Sequence, residues 1–225
     1  MSPIWKYSGG HDKYPVAAGQ IWRVGNHLFL CGDLESDSLL DNALQTQTPS
    51  LIYVDPPWNN GNGRSFRTKA GVDGEQGRAV DIATLIRLAI KPAADNHLLA
   101  FVEGGRKESA MVSKIIKDMG GVVGHIWNIT YYGEKPCVVF AADFRSSPVN
   151  DYPNLEGMDD ELTPYAVLNH YKPELVLDTC AGRGLTARSA ERLGLKSITH
   201  ELSPYRTAEA IQSVVALTGL KAEIV

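Results

Sequence analysis

Asp55, Pro56, Pro57 and Trp58 close an apolar run, residues 51 to 54, that reads as a buried strand. Two consecutive prolines offer no N–H to a sheet ladder and restrict the residue before them, so the strand must end at Asp55. An acid, a rigid bend and an indole then lead into an amide- and glycine-rich stretch, Asn59 to Gly63. This is a ligand-facing loop in outline, with a carboxylate acceptor beside a flat apolar face. A plain turn, with Asp55 accepting from the backbone and Trp58 packed inside, would use the same residues.

A second group lies far downstream. Val176 and Leu177 end a strand, and Asp178, Thr179, Cys180, Ala181, Gly182, Arg183 and Gly184 form a turn before a helix over 186–193. At Gly182 and Gly184 a missing side chain lets a ligand approach the backbone, and the helix that follows presents unpaired N–H groups. The spacing is not the dinucleotide fingerprint G-x-G-x-x-G, and such a turn also serves simple packing. Glu201 ends the next strand, where a carboxylate can accept from the two hydroxyls of a ribose or cap the helix that follows.

The elements that carry these groups alternate. Two apolar runs about Gly25-Asn26 predict a hairpin over 21–33, and residues 36–45 a short helix. Helical spacing of Ile82, Leu85, Ile86 and Ala89 predicts a helix over 79–90, stopped by Pro92. Strands follow at 97–105, 122–129 and 137–142, with a helix over 107–120 after the first and the turn 131–136 between the last two. A helix over 162–170 leads into the βαβ unit around the glycine turn, and residues 220–225 form a last strand. The order predicts an α/β fold with a mostly parallel sheet and an antiparallel edge hairpin. Residues 1–20 read as an arm on a single domain over 21–225, with a polar loop at 59–78 beside the tetrapeptide and a short linker or surface loop, able to serve in recognition, at 143–160.

Taken together, these motifs resemble those of the S-adenosylmethionine-dependent amino-methyltransferases that modify exocyclic nitrogens of DNA bases. The glycine turn looks like that family's methionine-binding loop, Glu201 matches its ribose-binding acid, and Asp55 to Trp58 matches its catalytic tetrapeptide. The tetrapeptide comes first, which resembles the circularly permuted, beta-type motif order on a Rossmann-like methyltransferase fold. The resemblance implies S-adenosyl-L-methionine as cofactor, with Asp33 reaching its adenine and Asp178, Thr179, Cys180, Ala181, Gly182 and Gly184 around its methionine portion. It also implies that Asp55 and the Pro56 carbonyl accept the two amine hydrogens of a flipped or unpaired base, with Pro57 fixing the bend and Trp58 under the base. Asp at the first position resembles the N6-adenine members more than the N4-cytosine ones. Trp in place of the commoner Tyr is shared with enzymes that act on RNA adenines.

The remaining features bound the reading. The 225 residues carry a net charge of -4, which argues against a nonspecific nucleic-acid coat but not against a local basic surface. Such a surface is offered by Asn59, Arg64, Phe66, Arg67, Lys69 and Arg78, beside the tetrapeptide, as a phosphate-contacting lid, although a solvated loop carrying Asp73 and Glu75 would use the same residues. Three widely spaced cysteines suit a reducing, intracellular setting, and the six histidines show no metal-ligand spacing, so no metal is expected. The expected partner is DNA, with RNA as the alternative and a second subunit as help in recognition. No membrane association is expected.

Overall fold

The computed structural model describes residues 13–36, 38–71, 81–148 and 150–225. Nine strands form one sheet in the order β5-β6-β4-β3-β7-β8-β2-β1-β9. They are β1 (Gln20–Val24), β2 (His27–Cys31), β3 (Leu51–Val54), β4 (Leu99–Gly105), β5 (Val122–Tyr131), β6 (Lys135–Asp143), β7 (Leu175–Asp178), β8 (Lys196–Glu201) and β9 (Ala222–Ile224). The five central strands, β4, β3, β7, β8 and β2, run parallel. Antiparallel pairs flank them on both sides, β5 and β6 at one edge and β1 and β9 at the other. The sheet therefore has a second antiparallel edge, because the 21–33 hairpin lends β2 to the parallel core and turns β1 outward.

Seven α-helices accompany the sheet among the described residues, besides a short 3-10 turn at Arg106–Glu108: α1 (Leu39–Leu44), α2 (Asn60–Ala70), α3 (Ile82–Asp95), α4 (Ser109–Asp118), α5 (Thr163–Tyr171), α6 (Leu185–Arg192) and α7 (Pro204–Thr218). Central strands are apolar on both faces because both are covered. On one face Leu30, Ile52, Val54, Val102 and Leu177 pack with Leu40, Ile86, Ile90 and Ile116 from α1, α3 and α4. On the other, Tyr53, Phe101 and Val176 meet Val167, Leu168 and Ala190 of α5 and α6, while Phe29 and Trp22 meet Ile211 and Val214 of α7.

Two local expectations change. Residues 72–78 of the expected loop lie outside the described residues, and the span 60–70 is a helix. Asn59 caps it by accepting from the Asn62 N–H, and Gly71 ends it in the left-handed conformation. These caps, with the Asn60 side chain accepting from the Ile82 N–H at 3.1 Å, outweigh the roughly 1 kcal/mol that each interior glycine costs a helix. Second, α3 does not stop at Pro92 but runs on to Asp95 with the proline ring buried, and the Thr179 hydroxyl donates to the Ala89 carbonyl in that stretch. The segment 143–160 keeps the irregular course of a linker or surface loop among its described residues. It runs along the outer edge of β5, where the Thr130 N–H donates to the Met158 carbonyl and the Asp160 N–H to the Thr130 carbonyl, both at 2.8 Å. Its own Leu155 is fully buried in the core with Trp127 and Val139.

Candidate functional site

Neighbouring strands β3 and β7 bring the two motifs together. Ile52 pairs with Leu177, so the chain leaves the sheet at Asp55 and at Asp178 on adjacent strands and at the same end. From this point the topology departs in opposite directions, toward β4 on one side and toward β8 and β2 on the other. Such a switch point leaves a crevice at the carboxyl ends of the strands. A cavity of ≈ 470 Å³ opens there, with Asp55 to Trp58 on one wall and Asp178, Cys180, Ala181 and Gly182 on another. A smaller cavity of ≈ 80 Å³ adjoins it, lined by Asp33, Thr179 and Glu201, and shares Asp55, Pro57, Phe66, Cys180 and Arg206 with the first.

Hydrogen bonds shape the glycine turn. Asp178 accepts from the Cys180 N–H at 3.0 Å and from the Thr186 hydroxyl at 2.6 Å, which joins the strand end to the first turn of α6. Glu201 accepts from the Gly182 N–H and the Ser203 N–H, each at 2.8 Å, so it braces the turn and the entry to α7 together. The two glycines differ. Gly182, at φ +53°, faces the cavity, and the nearest atom to a Cβ there would be the Arg206 guanidinium at 3.9 Å. At Gly184 (φ +75°) a Cβ would lie 2.6 Å from that of Ala210, so its missing side chain admits α7 rather than a ligand.

The Trp58 indole N–H donates to Asp55 at 2.9 Å, and its ring meets Tyr131 edge to face at 5.1 Å between centroids. Tyr131 in turn packs on Tyr132 at 4.2 Å. The hairpin turn 131–134 thus brings an aromatic wall to the cavity, with Lys135 beside it. The Asp55 carboxyl is open to solvent through the cavity mouth yet walled by protein on the other sides. The loss of surrounding water pushes its pKa up to about 6, against the opposing pull of the Trp58 hydrogen bond and Arg206. Burial likewise raises Asp178, Asp160 and Glu161 to about 7. The Cys180 thiol is pushed upward by burial and by Asp178, which suits a small turn side chain and not a nucleophile.

Helix α2 covers the smaller cavity, and its basic and aromatic residues are divided. Phe66 lies under the Arg206 guanidinium, 4.3 Å from its ring centre, and Arg67 is bonded to Asp33 and Glu35. Phe66 and Arg67 therefore face the inner cavities instead of an outer phosphate-binding surface. Asn59 is engaged as the helix cap, and Arg64 and Lys69 are exposed on the outside. Arg78 lies outside the described residues. Among the described residues no group of three or more His, Cys, Asp or Glu is placed to hold a metal ion, and no helix is long and apolar enough to cross a membrane.

Several lining residues escape sequence reasoning. Asp160 and Glu161 arrive from the segment along β5, and Arg206 from the first turn of α7. Glu103 carried a usable signal: it follows the apolar run 98–102 as Asp55 follows 51–54, and acids near the carboxyl ends of parallel strands face the crevice. Periodicity assigns none of them to this site, because each reaches it through a tertiary contact.

No protein-family model and no curated protein matches the chain. Solved structures do. The M1.HpyAVI–SAM complex is 11% identical, with a TM-score of 0.60 over 83% of this chain and 98% of that one. A candidate DNA modification methylase of Thermus thermophilus, complexed with S-adenosyl-L-methionine, is 12% identical, with a TM-score of 0.58 over 84% and 93%. The cytosine-N4-specific PvuII DNA methyltransferase is 14% identical, with a TM-score of 0.59 over 86% and 89%. What this chain shares with them is a Rossmann-like methyltransferase fold.

Proposed function

We propose that the chain is an S-adenosylmethionine-dependent DNA methyltransferase acting on the exocyclic N6 amine of adenine in a flipped or unpaired nucleotide. The observation that carries this is the convergence of Asp55–Trp58 with the glycine turn and Glu201 on two abutting cavities. The fold's likeness to proteins solved with S-adenosyl-L-methionine supports the cofactor. The donor set fits it: Gly182 offers an open backbone, Glu201 and Asp33 offer carboxylates for hydroxyl and amine hydrogens, and the acidic surroundings favour a sulfonium cation. When bound, the cofactor supplies an electrophilic methyl whose bond to sulfur breaks as a bond to nitrogen forms.

The chain's own residues prepare the nitrogen. An aromatic amine is a poor nucleophile because its lone pair is delocalised into the ring. Ionised Asp55 accepts one amine hydrogen and the Pro56 carbonyl the other, which favours a tetrahedral nitrogen with its lone pair free. The methylated nitrogen is acidic, and its extra proton passes to Asp55 or to water at the cavity mouth. Trp58, with Tyr131 and Tyr132, supplies apolar faces for a base taken out of its stack. Asp55 at the first position of the tetrapeptide favours adenine. The similar fold of a cytosine-N4-specific enzyme makes N4-methylcytosine the competing product.

Among the described residues nothing outside the sheet and its helices forms a separate reading module, and 143–160 is committed to β5. We therefore expect low or short-site specificity, aided by α2 or by a second subunit. The decisive experiment incubates the protein with radiolabelled S-adenosylmethionine and double-stranded DNA, single-stranded DNA or RNA, then identifies the product nucleoside. N6-methyladenine in DNA that disappears with Asp55→Ala supports the reading. Transfer to RNA alone, or to cytosine, replaces the substrate. Cofactor binding without transfer to any polymer overturns it.

A further inference from the structure

One buried carboxyl at the cavity has no part in the mechanism above. Glu103 lies near the carboxyl end of β4, two residues before Gly105, with only 2% of its surface exposed. Parallel pairing of Val54 with Val102 brings the next positions side by side, Asp55 just past the end of β3 and Glu103 within the last residues of β4. Both residues line the larger cavity, together with Asp160, Tyr131 and Trp58. One Glu103 oxygen, Oε1, is fully engaged: the Tyr53 hydroxyl donates to it, and the Thr163 hydroxyl lies at 3.2 Å. The other, Oε2, is buried with no hydrogen-bond partner. A buried polar atom left unsatisfied is costly, and it calls for a ligand that completes it.

We propose that Glu103 reads the target base, its Oε2 hydroxyl donating to the ring nitrogen that flanks the reactive amine, N1 in adenine. The inference rests on the methyltransferase reading and adds a specificity-determining residue to it. The base edge requires complementary groups. The amine presents hydrogens, which Asp55 and the Pro56 carbonyl accept, whereas the neighbouring ring nitrogen presents a lone pair and needs a donor. Asp55 in its ionised form cannot donate. A neutral Glu103 can, and its surroundings keep it neutral: burial and the negative charges of Asp55 and Asp160 push its pKa well above the carboxylate range. Adenine and cytosine both carry an acceptor nitrogen beside the amine, while thymine and uracil lack the amine. A donor beside an acceptor pair therefore selects amino bases of this pattern.

The test replaces the adenine of an otherwise unmodified oligonucleotide with 1-deazaadenine, which keeps the amine and loses the N1 acceptor. If the product proves to be N4-methylcytosine, 3-deazacytosine takes that place. Methyl transfer, and oligonucleotide affinity by fluorescence anisotropy, are compared for the natural and deaza bases in wild type, Glu103→Gln and Glu103→Ala. The wild type is expected to discriminate against the deaza base by about 10- to 100-fold in kcat/KM. Glu103→Gln, whose amide also donates, keeps most of that ratio, and Glu103→Ala loses it, treating the two bases alike. Glu103→Met serves if the alanine variant does not fold. A deaza ratio unchanged in Glu103→Ala or Glu103→Met makes Glu103 a structural residue and overturns the inference, even if overall activity falls. Absence of transfer to the natural base by the wild type removes the underlying methyltransferase reading instead.

Discussion

The Arg67 guanidinium lies across the Asp33 carboxylate, with Nη2 2.8 Å from Oδ2 and Nη1 3.3 Å from Oδ1. It also reaches Glu35 at 3.2 Å. The pair joins α2 to the end of β2 over the smaller cavity, and it occupies the acid assigned to the cofactor's adenine. Cofactor and Arg67 then compete for Asp33. Arg67→Ala is expected to tighten S-adenosylmethionine binding by about tenfold, the equivalent of about 1.4 kcal/mol for a charge-assisted bidentate pair. Titration calorimetry checks this. Weaker binding in the variant would mean that Arg67 helps to form the pocket, not to block it.

Asp55 accepts an amine hydrogen only as a carboxylate, and its pKa is raised to about 6 by loss of surrounding water. On the proposed chemistry kcat/KM rises with pH, reaches half its plateau near pH 6 and is flat above about pH 7. Asp55→Ala lowers kcat by about 100- to 1000-fold, as loss of one preorganised polar group in an active site does. A profile of the initial rate from pH 5 to 9 checks the first expectation. A rate independent of pH across 5 to 7 would remove Asp55 from the role of acceptor.

The acids of the cavity also set the stability of the free protein. Asp160, Glu161 and Asp178 have folded-state pKa values raised to about 7, and Asp55 to about 6. Between about pH 4 and pH 7 the folded state holds more of their protons than the unfolded state, so their contribution to stability is full below that range and is lost as the pH rises through it. The melting temperature should accordingly be higher at pH 5 than at pH 8. Asp178→Asn, which keeps hydrogen-bonding groups at both oxygen positions without the charge, should raise it at pH 8 and flatten the slope. Calorimetric scans of both proteins at the two pH values decide this, and a higher melting temperature at pH 8 would contradict it.

Gly182→Ala and Gly184→Ala should separate ligand binding from packing. Both positions have positive φ, which costs a side-chain-bearing residue about 1–2 kcal/mol. At Gly184 the new methyl also collides with Ala210, so the expected loss is about 3 kcal/mol, read as the larger drop in melting temperature. At Gly182 the methyl enters open space at the cavity wall, so the effect on stability is smaller and the effect on cofactor affinity larger. Thermal melts together with calorimetric titrations distinguish the two patterns. Equal losses of stability would show that α7 shifts to accommodate Gly184→Ala.

Much of the scaffold is legible in the sequence because its signals are local. Alternating apolar runs and Gly25-Asn26 mark the first hairpin, two prolines end β3 at Asp55, and the glycine turn lies between β7 and α6. Where capping and tertiary anchoring outweigh local propensity, the reading changes. Asn59, Gly71 and the contact of Asn60 with α3 make 60–70 a helix despite its glycines, and α3 continues through Pro92. The pairing of β3 with β7 is a long-range choice, as is the placement of Phe66 and Arg67 over the inner cavities. So is the enclosure of Glu103 by Tyr53 of β3 and by Asp160 and Thr163 at the entry to α5, two parts of the chain far apart in sequence. The sequence by itself determined that β3 stops before Asp55 and that a glycine turn separates β7 from α6, since steric and hydrogen-bonding limits of the backbone act between neighbours. Only the tertiary structure decided which strand ends share a cavity and which carboxyls are stripped of water, because burial and charge proximity are properties of the packed chain.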